Sequence, residues 1–80
     1  MGERLENIGK REELRRRRGI IEAEALSHRD SIRAALPLTG EAEEIDSEYV
    51  MSLAISLNEK VQELKGVNRK IAILERELGI

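Results

Sequence analysis

From Val50 to Leu78, large apolar residues return at every third and fourth position. Counting in sevens, Val50, Leu57, Leu64, Ile71 and Leu78 share one position, and Leu53, Lys60, Val67 and Leu74 share another. Eight of these nine are apolar, where a chain that is 40% hydrophobic would place about four by chance. A period of 3.5 residues held over four heptads requires a helix packed lengthwise on another helix, because only a partner along the same seam removes that stripe from water. An 80-residue chain has room for one more such helix and a turn, and for no second domain.

The turn is marked by Leu36-Pro37-Leu38-Thr39-Gly40, which holds the only proline. Proline disfavours helical geometry in the residue before it and has no N–H to continue a helix, so the first helix is expected to stop near Ala35. Asp46 is the preferred cap of the second helix, since its carboxylate can accept from the free N–H groups of the first turn. Ile45 and Val50 around it have the spacing of a hydrophobic staple. Thr39 is the rival cap. No segment alternates apolar and polar residues as a strand does. The expected fold is all-α: an antiparallel two-helix hairpin, coiled-coil-like, with helix 1 over about 3–35, a turn over about 36–45 and helix 2 over about 46–78.

Helix 1 has a weaker stripe: Leu14, Arg18, Ile21, Ala25, His28, Ile32 and Ala35. Leu5 and Ile8 lie on another sector, which predicts a kink or fraying near Gly9. Folding back near residue 41 makes facing residue numbers sum to roughly 82, with Ile21 beside Val61 and Ala25 beside Leu57.

A lone hairpin leaves too much apolar surface. Six of the eight residues from Val50 to Leu57 are apolar, and Ile55 faces away from the seam. A helix apolar on several sides is buried on several sides, and two helices alone make a thin core. A second copy, giving a four-helix bundle, is the expected solution, with Val50, Met51, Leu53, Ala54, Ile55, Leu57, Val61 and Leu64 as the contact surface. The net charge of -2 hides a polarity. Residues 41–59 carry six acids and no base, whereas residues 10–18 carry six bases and two acids. An antiparallel dimer sets opposite charges together, and a parallel one stacks like on like.

Arg4, Arg11, Arg15, Arg18, Arg29 and Arg33 share one sector of helix 1, and the expected register offers them no carboxylate from helix 2. One reading is a nucleic-acid face, RNA or DNA, gripping phosphates. The pI near 5.5 and the lack of aromatic platforms favour the other, a solvated face with ion pairs between chains. Gly19 and Gly66 interrupt helix interiors, either as tolerated surface glycines or where another backbone comes close.

Little in the chain can do chemistry. His28, the only histidine, lies on the inner stripe with no second ligand at helical spacing except, weakly, Glu24, and reads as a seam residue that sets register or responds to pH. Lys60 reads as a polar seam residue that fixes register. The acids of the turn lack the ligand spacing of a calcium loop, and there is no phosphate loop or nucleophile elbow. No enzyme activity, cofactor or metal is expected. Without cysteine, a long apolar run or an apolar leader, the chain is expected to be cytoplasmic and off the membrane. The expected function is a small helical interaction or adaptor module that self-associates. The alternatives are the nucleic-acid binder and a regulatory subunit or chaperone that clamps a partner's helix.

Overall fold

The computed structural model describes residues 2–80 and contains two long helices, α1 (Gly2–Ala35) and α2 (Ser47–Leu78), joined by a turn that includes a single 3-10 turn at Ala42–Glu44. The helices pack side by side as an antiparallel hairpin, a rod of 64 × 15 × 14 Å. Helix α1 ends at Ala35, two residues before Pro37. Gly40 takes φ 108°, a left-handed conformation that a side chain would strain, and so turns the chain toward α2.

Asp46 caps α2, its carboxylate accepting from the Tyr49 N–H at 3.1 Å. At the other end Gly79, at φ 76°, closes the helix: its N–H donates to the Arg76 carbonyl and the Ile80 N–H to the Glu75 carbonyl, the paired bonds of a Schellman motif.

All nine heptad positions of α2 are buried or half-buried, and so are all seven stripe positions of α1. Among the described residues five hydrophobic ones are buried: Ile21, Ala25, Val67, Ile71 and Leu78. Ile21, Val67 and Ile71 form the core cluster, with Leu14 and Leu64 packed on it. On α2 the buried residues lie in the half away from the turn, and on α1 they lie near the middle, so that none falls in the last ten residues of α1 or the first twenty of α2.

One expectation is corrected. Helix α1 runs unbroken through Gly9. The apolar stripe does slip there, leaving Leu5 71% exposed, but polar side chains take over the contact with α2: Asn7 and Arg11 are half-buried, and the Arg4 and Arg11 guanidiniums bond to α2. The direct contacts between the helices, Arg4 with Leu78, Arg11 with Glu75, Arg17 with Glu63 and Glu24 with Lys60, have residue numbers that sum to 82, 86, 80 and 84. Ile21 packs in one cluster with Val67 and Ile71.

Candidate functional site

The two flanks of the seam are unlike. On one, Arg17 Nη2 donates to Glu63 Oε1 at 2.9 Å, and Lys60 Nζ reaches across to Glu24 Oε2 at 2.9 Å and to Glu63 Oε2 at 3.6 Å. Toward the open end this flank widens into a groove of about 570 Å³ lined by Leu14, Ile73 and Leu74, with Lys10, Glu13, Arg17, Lys70 and Glu77 around them. The opposite flank holds a groove of about 460 Å³ whose floor and walls are Ala25, Leu26, Leu57, Val61 and Leu64, with Glu22 and Arg29 at its lip. Toward the turn, Met51 and Ala54 extend this apolar surface along α2.

The ion pairs set the charge state of the polar flank. Arg17's hydrogen bond, with Lys60 alongside, holds the Glu63 carboxyl below its ordinary 4.5. The Glu24 carboxylate, through its hydrogen bond, raises the Lys60 ammonium above its ordinary 10.5. Lys60 is therefore a charged side chain that leaves the seam for carboxylates on the flank.

The eight expected contact residues divide into two sets. Val50, Leu53, Leu57 and Leu64 are half-buried in the seam against α1, so they are spent largely on the hairpin itself. Met51 and Ile55 remain 60% and 56% exposed, Ala54 is exposed, and Val61 is half-buried in the apolar groove. The α1 side of that groove went unseen in the sequence. Leu26, 49% exposed, sits one position past Ala25 on the stripe, and its apolar character on that edge was the available signal.

The expectation that α2 offers the arginine stripe no carboxylate is corrected at one position, Arg11. Arg11 donates through Nε and Nη2 to Glu75 Oε2 at 3.1 and 2.8 Å, and contacts Glu12 at 3.4 Å. Arg4 Nη1 donates to the Leu78 carbonyl at 3.3 Å, at the negative end of the α2 dipole. Arg15 meets Glu12 at 3.5 Å and Arg29 meets Asp30 at 2.9 Å. Among the described residues Arg18, half-buried in the seam, and Arg33 make no ion pair. The six therefore do not form one open row of cations.

His28 is half-buried at its seam position. Among the described residues no three acidic or histidine side chains gather where they could hold a metal ion, and no helix is long and apolar enough to cross a membrane. A scan against protein-family models matches none of them, and neither a search of curated proteins nor one of solved structures returns a match.

Proposed function

We propose that this chain is a non-enzymatic helical interaction module that works as a self-associated bundle, in an aqueous, cytoplasm-like compartment. The supporting observation is surface area. The hairpin exposes 6268 Å², where a compact folded monomer of 9.1 kDa exposes about 4,900 Å². The excess, roughly 1,400 Å², exceeds the ~800 Å² per partner of a standard interface. An apolar groove with one exposed leucine on its wall is a natural place to begin covering it. Small single-core chains seldom stand alone at this size, so association supplies part of the folding free energy as well as the binding surface.

The nucleic-acid reading draws less support. Arg4 and Arg11 commit donors to α2, and Arg15 and Arg29 have neighbouring carboxylates, which leaves few guanidiniums free for phosphate. Sedimentation equilibrium at micromolar concentration tests the proposal. The expected mass is twice the 9.1 kDa of one chain; a single-chain mass overturns it.

A further inference from the structure

We infer that the apolar groove beside Leu26 and Val61 is the site of a second copy of this chain, docked antiparallel about a two-fold axis that crosses the groove. The inference rests on the self-association reading and fixes its geometry.

A two-fold interface uses the same patch on both copies, so a patch suited to it must complement itself. For antiparallel rods packed face to face, the axis lies in the interface across the rods, and sets α1 on α1 and α2 on α2. The groove spans residues 22–29 of α1 and 57–64 of α2. An axis through its middle makes facing residue numbers sum to about 51 on α1 and about 122 on α2. Leu26 then meets Leu26 of the second copy, and Val61 meets Val61.

The charges at the lip meet the symmetry requirement. Glu22 and Arg29 stand seven residues apart, one on each side of Leu26. The axis brings each Glu22 to Arg29 of the second copy, making two identical ion pairs at the edge of an apolar centre. Among the described residues Glu22 has no ion-pair partner within its own chain, and Arg29 has only its neighbour Asp30. Gly19 lies on the same edge, where an added side chain would find nothing within 4 Å. It falls opposite Arg33 of the second copy, and the missing side chain leaves room for that arginine's stem. Met51 and Ala54 extend the contact on α2, falling opposite Ala72 and Asn68.

The polarity of the rod agrees with this placement. The turn lies about 16–22 Å from the groove centre, which is 11–15 residues along a helix. Carried through the axis, Glu41, Glu43 and Glu44 lie beside residues 10–15 of α1 in the second copy, where Arg11 and Arg15 stand with Glu12 and Glu13. A parallel pairing would instead set the acidic turns together. On the polar flank the matching stretch is already tied within the chain by Arg17, Glu24, Lys60 and Glu63.

The chain has no cysteine, so one introduced thiol reports the axis directly. Leu26→Cys is expected to oxidise to a covalent dimer, and Ile20→Cys, on the other side of α1, to stay a thiol. Glu22→Arg and Arg29→Glu are each expected to weaken dimerisation roughly tenfold, and the double exchange to restore it, since each change breaks two symmetric pairs. If the protein sediments as a dimer but Leu26→Cys does not cross-link and the double exchange does not rescue, this geometry is overturned while self-association stands. If it sediments as a monomer, both are overturned.

Discussion

At the scale of single residues, the polar flank ties α1 to α2 through groups that titrate. Glu63 has its carboxyl held below 4.5 by Arg17 and Lys60, so the stability it contributes is present above that value. It is lost as pH falls through the depressed pKa of the folded chain. Lys60 is the mirror case: its contribution is present below 10.5 and is lost as pH rises through the raised value. Thermal melts followed by circular dichroism from pH 2 to 6 are therefore expected to show an acid limb that Arg17→Ala flattens. The effect is small because these side chains stand in water. Asp46 contributes differently, through geometry: its carboxylate satisfies an N–H that the first turn of α2 would otherwise leave to solvent.

At the scale of elements, the heptad of α2 made the hairpin legible before any coordinates. The stripe from Val50 to Leu78 could only be buried lengthwise, and Pro37 left one place to turn. The register was less legible, for a physical reason. It depends on how an eleven-residue connection spends its length, and on which layers the polar residues Arg18, His28 and Lys60 enter. The α1 wall of the groove was hidden by the same uncertainty, because Leu26 acquires meaning only once Val61 and Leu64 are known to lie across from it. Burial is uneven along both helices, and substitutions are expected to report it. Ile71, 2% exposed in the core cluster, is expected to cost about 2–4 kcal/mol on Ile71→Ala, and the half-buried Leu53 less than half of that on Leu53→Ala, measured by urea unfolding at fixed chain concentration.

At the scale of the whole molecule, no buried residue lies in the last ten residues of α1 or the first twenty of α2, beside the turn, and the open end is fastened by Arg4 and Arg11 on the last turns of α2. Amide hydrogen exchange is expected to be slower over residues 64–75 than over 47–57 when the chain is dilute enough to be dissociated; the reverse order would show that the turn is the stable half. This distribution also bears on how the chain reaches its fold. A hairpin held best at its turn can zip outward, each new contact closing a short loop. Here the core cluster joins Ile21 to Val67 across roughly 45 residues, and closing such a loop costs about 1.3 kcal/mol more than closing one of ten. The slow step of folding is therefore expected to be the meeting of two distant helix segments, with Ile71→Ala slowing refolding more than Leu53→Ala in stopped-flow measurements.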